Sequence, residues 1–163
     1  MRTKFARSLG WILRVALLIF VAGGTAHADD AKLVAAGVDR IAIEGYDTVA
    51  YFTDGKATKG SSAFEYVWGD ARWKFASRAH RDMFIADPEH FAPQFGGFCA
   101  GAIVLGDLVP ANPEAWVIVG GKLYMVAGSP ANIVDWKANE TENIRQGDKQ
   151  WRAVEAHRAA QNQ

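Results

Sequence analysis

The chain has 163 residues, with 18 basic and 18 acidic side chains, and half of it is apolar. Cys99 is the only cysteine, which excludes an intramolecular disulfide, so a core built from six Trp, nine Phe and four Tyr must hold the fold. The absence of a basic surplus argues against nucleic acid as a partner.

The N-terminus has the pattern of an export signal. Arg2, Lys4, Arg7 and Arg14 form a basic region, residues 15–22 an apolar core, and Ala26-His27-Ala28 a small-x-small cleavage site. The apolar run is far shorter than the ~20 residues that span a bilayer, so no membrane span is expected after cleavage. Removing residues 1–28 takes four basic residues and no acidic ones, leaving a net charge of −4 on residues 29–163. Those residues are expected to form one domain, periplasmic or secreted.

Residues 29–37 read as a loose or weakly helical lead-in, and residues 40–43 alternate as a short strand. An aromatic segment, Gly45-Tyr46-Asp47-Thr48-Val49-Ala50-Tyr51-Phe52, closes at the turn Asp54-Gly55. Phe64, Tyr66 and Trp68 then alternate along one strand, with Trp73 and Phe75 along another, and Gly69-Asp70 turns between them. The covering layer for these rings is the next helix, with Ser77 as N-cap, residues 78–86 as body and Met83 and Phe84 facing the hairpin; Asp87-Pro88 stops it. Residues 88–95 make a short helical lead into Gly96-Gly97. The apolar run at residues 98–105 predicts a helix opening there and ending near Gly106. A second hairpin brackets Gly120-Gly121, from Trp116 to Val119 and from Lys122 to Val126. Ser129-Pro130 predicts an N-cap with Pro at N1 and a helix to about Ala138, followed by helices over residues 140–145 and 149–157 broken at Gly147. The sum is an α+β fold: two small antiparallel hairpins, separate or joined in one sheet, packed against several short helices.

Cys99 carries the chemistry if anything does. A thiol in the first turn of a helix feels the positive end of its dipole, which favours the thiolate, the form that binds soft metals and attacks electrophiles. The alternative is a small buried hydrophobe, as free cysteines commonly are. His80 and His90 are the histidines with a functional case, and Asp47 and Glu44 flank Tyr46 on an expected loop. A Cys/His pair suits Cu(I), for which two ligands suffice, whereas a closed zinc site needs four. Signatures of hydrolases, P-loop and dinucleotide enzymes, C-x-x-C redox proteins and c-type haem are absent, and an enzyme is not the expectation.

Several linked segments resemble the YHS-domain family in its small exported form: Gly45 to Phe52 as quoted above, Trp73-Lys74-Phe75-Ala76-Ser77, Phe84-Ile85-Ala86-Asp87-Pro88, Phe91-Ala92-Pro93-Gln94-Phe95-Gly96-Gly97-Phe98-Cys99-Ala100, and the W-x-I-V-x-G-K-L-Y pattern from Trp116 to Tyr124. The resemblance implies binding of a heavy, copper-type metal ion. The family's compact form carries cysteines in D-P-V-C-G-M and Y-F-C-S-x-x-C segments. This chain has Ala50, Ala76 and His80 at those places, so most of that metal set is gone. Cys99 lies in the G-G-[FY]-C-A motif of the exported subgroup, where some relatives carry selenocysteine, which implies a chemically active position. Three readings follow. The first is a soft-metal module with Cys99 as main ligand, His80 as helper, and Asp47 and His90 as weaker candidates. The second is a thiol-redox protein that uses Cys99 with an external periplasmic thiol partner. The third is an interaction module in which Cys99 is only core.

Overall fold

Turn chemistry fixes the first ribbon. Gly69 and Asp70 both take positive φ (58° and 62°), as a two-residue type I′ turn requires, and join β1 (Ser61–Trp68) to β2 (Ala71–Phe75). The computed structural model of the protein describes residues 32–161, so the expected export signal lies outside the described residues. Register pairs Tyr66 with Trp73 and Trp68 with Ala71, with a bulge between Ser61 and Glu65. Alternation then puts Trp73 and Phe75 on one buried face.

The expected cover is α2 (Arg78–Ala86), and Ser77 caps it by accepting the His80 N–H at 3.1 Å. Phe84 is fully buried, with its ring 5.1 Å from Trp73, 5.2 Å from Phe75 and 5.7 Å from Trp68. Met83 does not face the hairpin and is 39% exposed. Adjacent helical residues point about 100° apart, so only one of the two can. His80 shares Phe84's face at i−4 and is thereby turned inward.

One expected strand is absent, and one expected helix is shorter than its pattern suggests. Residues 40–43 make no strand: Ile41 and Ala42 form single bridges to Arg72 and Ala36, and extension ends where Ile43 and Glu44 take positive φ. The lead-in at residues 32–37 is not helical but runs beside this segment, with the Ile43 N–H donating to the Ala35 carbonyl at 3.2 Å. The aromatic segment contains one helical turn, α1 (Ala50–Thr53). After α3 (Pro88–Phe91) and a 3₁₀ turn (Gln94–Gly97), the helix expected at residues 98–105 is only α4 (Ala100–Ile103). Phe98 is held extended by a bridge to Pro110, and the Cys99 N–H donates to the Val109 carbonyl at 2.7 Å. The chain therefore becomes helical one residue after Cys99.

The second ribbon, β3 (Trp116–Val119) and β4 (Lys122–Met125), turns at Gly120-Gly121, both at positive φ. The two ribbons are separate two-stranded sheets, not one. Helix α5 (Asn132–Lys137) starts later than expected: the Ser129 hydroxyl is spent on the Asn132 side chain at 3.1 Å, and Ala131 occupies the N-cap position. The expected break at Gly147 does not exist. A single helix, α6 (Glu140–Gln161), runs through it, and Gly147 is buried against Phe95. With ten such elements among the described residues, the fold is α+β. No helix among the described residues is long and apolar enough to cross a membrane.

Candidate functional site

Cys99 is delivered by a sequence of three left-handed residues, Phe95, Gly96 and Gly97, with φ of 55°, 60° and 82°. Gly96 is required by contact as well as conformation: a Cβ there would lie 2.0 Å from the Leu33 carbonyl oxygen, and the Gly96 carbonyl accepts the Ala35 N–H at 2.8 Å. The strap at residues 33–35 thus anchors the turn before the cysteine. Cys99 is the N-cap of α4, and its sulfur accepts the Ala102 N–H at 3.4 Å. The helix is one turn long, so the local N–H, rather than an extended dipole, is what the sulfur feels.

The residue is 7% exposed and lines an open cleft of about 370 Å³. Val126 and Ala127 after β4, Asn132, Asp135 and Trp136 of α5, and Asn143 of α6 form its other walls. Asn143 donates to the Trp136 carbonyl at 2.7 Å, which ties α6 to α5 across the cleft. Tyr124 packs on Trp136 with ring centroids 5.2 Å apart, and burial pushes its phenol up to about 12.

His80 belongs to a different neighbourhood. Its Nδ1 lies 2.6 Å from Asp47 Oδ2, and because a carboxylate only accepts, the ring donates from Nδ1. Asp47 is fully buried; Oδ1 also accepts the Val49 and Ala50 N–H groups at 2.9 and 3.3 Å, and Oδ2 the Ala76 N–H at 2.7 Å. The opposite ring nitrogen, Nε2, faces Thr53 Oγ1 at 3.4 Å and Asp54 Oδ1 at 3.9 Å. Ala50, Ala76 and His80 therefore meet at one point, but two of the three contribute backbone N–H groups to a carboxylate rather than thiolates to a metal.

No family model, curated protein or solved structure matches this chain.

The structure brings Asp47 and His80 together and does not bring Cys99 to either: the residues around the sulfur and those around the imidazole have no member in common. Among the described residues no group of three or more His, Cys, Asp or Glu is placed to hold a metal ion. His90 is exposed, its ring 4.6 Å from Phe91 and 5.1 Å from Phe52. Glu44 sits in a left-handed turn, and its carbonyl accepts Lys59 Nζ at 3.0 Å. Tyr46 donates to Glu114 Oε1 at 3.0 Å under the Lys59 ammonium. Sequence reasoning missed Trp136, Asn132, Asp135 and Asn143, which come to the cleft from helices far along the chain and carry no local motif. The role of Asp47 did have a signal, an Asp just before a short apolar helical run, where its side chain accepts backbone N–H groups two and three residues on.

Proposed function

We propose that this chain is a single-cysteine thiol-redox protein whose working atom is the Cys99 sulfur. The observation that supports this most is the placement of that sulfur on the wall of an open cleft, with one backbone N–H aimed at it and no imidazole or second thiol beside it. The N–H fixes the sulfur at the cleft wall, and thiolate is the nucleophile in disulfide exchange. Attack on one sulfur of R–S–S–R forms Cys99–S–S–R and expels R–S⁻. A second thiolate, R′–S⁻, then attacks the R sulfur, which releases R–S–S–R′ and returns Cys99 as thiolate. No other cysteine is in the chain, so resolution falls to an external thiol. The leader pattern at residues 1–28 and the resemblance to exported YHS-domain proteins support a periplasmic setting, where disulfides persist.

Copper-type binding is supported less well. The expected helper, His80, is committed to Asp47, and the side chains lining the Cys99 cleft offer amide and carboxylate oxygens, which suit hard ions better than soft ones.

The test is intact-mass analysis of the reduced protein after exposure to glutathione disulfide. One glutathionyl adduct is expected, absent in Cys99→Ser and removed by added thiol. A folded protein that stays unmodified, while its urea-unfolded form reacts fully, would refute the proposal. Stoichiometric Cu(I) binding that survives a modest chelator and is lost in Cys99→Ala would put the metal reading first.

A further inference from the structure

The indole nitrogen of Trp136 is buried and has no hydrogen-bond partner. The side chain is 5% exposed and forms part of the Cys99 cleft. A buried N–H without a partner is costly, and native structures rarely tolerate one without a reason. The two asparagines of the cleft are turned elsewhere: the Asn132 amide oxygen accepts from the Ser129 hydroxyl, and the Asn143 amide donates to the Trp136 carbonyl. Gly101 locates the orphan relative to the sulfur. A Cβ on Gly101 would lie 3.8 Å from Cys99 Sγ and 3.9 Å from Trp136 Cδ1, the ring carbon bonded to the unpaired nitrogen. The space left by the missing side chain thus borders both the thiol and the pyrrole edge of the indole.

We infer that this gap holds an oxygen carried on the Cys99 sulfur, and that the Trp136 indole N–H is its donor. This rests on the thiol-redox reading and names the oxidised form the site is built to keep, a sulfenyl group. An oxygen bonded to the sulfur would approach the donor through the space beside Gly101, whereas a diffusing ligand meets a nitrogen closed to solvent. The Asp135 carboxylate on the cleft wall also disfavours a free anion. The oxidant is a hydroperoxide. Cys99–S⁻ attacks the terminal oxygen of R–O–O–H, the S–O bond forms as the O–O bond breaks, and Cys99–S–OH and R–O⁻ result; the alkoxide takes a proton from water. Sulfur loses two electrons and the peroxide gains them. An external thiol then condenses with the sulfenyl group to give a mixed disulfide and water, and a second thiol restores Cys99.

The full-length reduced protein is treated with hydrogen peroxide and followed by dimedone trapping, intact mass and the ¹H–¹⁵N signals of the tryptophan indoles. One oxygen is expected on Cys99. The Trp136 indole signal, assigned by its loss in Trp136→Phe, is expected to move downfield as that oxygen appears and to stay put in Cys99→Ser. In Trp136→Phe the sulfenyl lifetime should shorten roughly tenfold, the loss of one hydrogen bond to a polar acceptor, with faster passage to sulfinic acid. If that variant does not fold, the wild-type indole signal decides alone. An unmoved indole in fully sulfenylated protein overturns the inference. A Cys99 that exchanges with glutathione disulfide but takes no oxygen overturns the inference and leaves the redox reading standing. A Cys99 inert to both overturns the two together.

Discussion

Gly147→Ala tests how α6 closes the cleft wall. In an exposed helix interior the change stabilises by about 1 kcal/mol, because Ala is the better helix former. Here an added Cβ would lie 2.7 Å from Phe95 Cζ, 3.1 Å from Cε2 and 3.5 Å from Cε1. The ring cannot retreat easily: Phe95 is 4% exposed, with Tyr124 at 5.8 Å and Trp151 at 6.0 Å between centroids, and its backbone is already left-handed. Relief needs the ring or the helix to move by about an ångström, and overpacking of this kind costs roughly 1–3 kcal/mol. The upper part of that range applies because two ring atoms overlap at once. Subtracting the propensity gain leaves a net loss of about 1–2 kcal/mol. Urea denaturation followed by tryptophan fluorescence measures it, with an unchanged m value expected. Replacing Phe95 by Leu removes the overlapping atoms, so the double variant should show positive coupling of about 1 kcal/mol. A Gly147→Ala protein more stable than wild type would refute the reasoning, since it would mean that α6 does not rest on Phe95.

Other outcomes follow from the same packing. Phe84→Ala removes the ring shared by Trp68, Trp73 and Phe75 and should cost about 3–5 kcal/mol in chemical denaturation. Asp47→Ala strands the Val49 and Ala76 N–H groups and the His80 ring, for a loss of about 3 kcal/mol, while Asp47→Asn keeps one acceptor oxygen for Val49 and Ala50 but sets an NH2 against the Ala76 N–H and should cost about 2 kcal/mol. Tyr51 donates to the Pro113 carbonyl at 2.9 Å, so Tyr51→Phe leaves that oxygen unpaired and should cost about 1–2 kcal/mol. Burial raises the phenol of Tyr124 to about 12, against about 10 in the unfolded chain. The folded state therefore holds that proton longer, and its stability, whole below pH 10, should fall as pH climbs from 10 towards 12. Denaturant midpoints across that window, with tyrosinate absorbance as the second probe, check the direction.

What was legible in the sequence was what is decided over short spans. Gly69-Asp70 and Gly120-Gly121 announce their hairpins because two-residue turns require positive φ. Ser77 announces the start of α2 because an N-cap needs a side-chain oxygen, and Asp87-Pro88 its end because the residue before a proline is driven out of the helical region. Glycine misled where its role was tertiary. Gly147 looked like a break and is a notch for Phe95, a partner 52 positions earlier that no local pattern reveals. The helix after Gly96-Gly97 was overextended for a similar reason, since the bridge from Phe98 to Pro110 competes with helical hydrogen bonding. The candidate site divided along the same line. Cys99 was visible as a lone thiol after two glycines, whereas Trp136, whose side chain helps to line its cleft, lies 37 positions on.

The two polar centres answer different physical demands. At Asp47, one buried carboxylate collects three backbone N–H groups and an imidazole, joining the start of α1, the end of β2 and the inner face of α2. Every acceptor position there is matched by a donor, so the centre is at rest: a fully satisfied buried network holds elements in register and has little left with which to bind. At Cys99 the matching is incomplete. One N–H reaches the sulfur, a second donor on Trp136 has no acceptor, and Gly101 withholds the methyl that would touch both the sulfur and the indole ring. If the cysteine were filler, the economical neighbour would be an apolar ring without an N–H and an Ala at position 101, which would close the gap at no polar cost. The unmet donor near the one thiol is therefore what supports the proposed redox site over a core position. Chemistry in this fold is to be sought at the incomplete centre, while the complete one holds the scaffold that carries it.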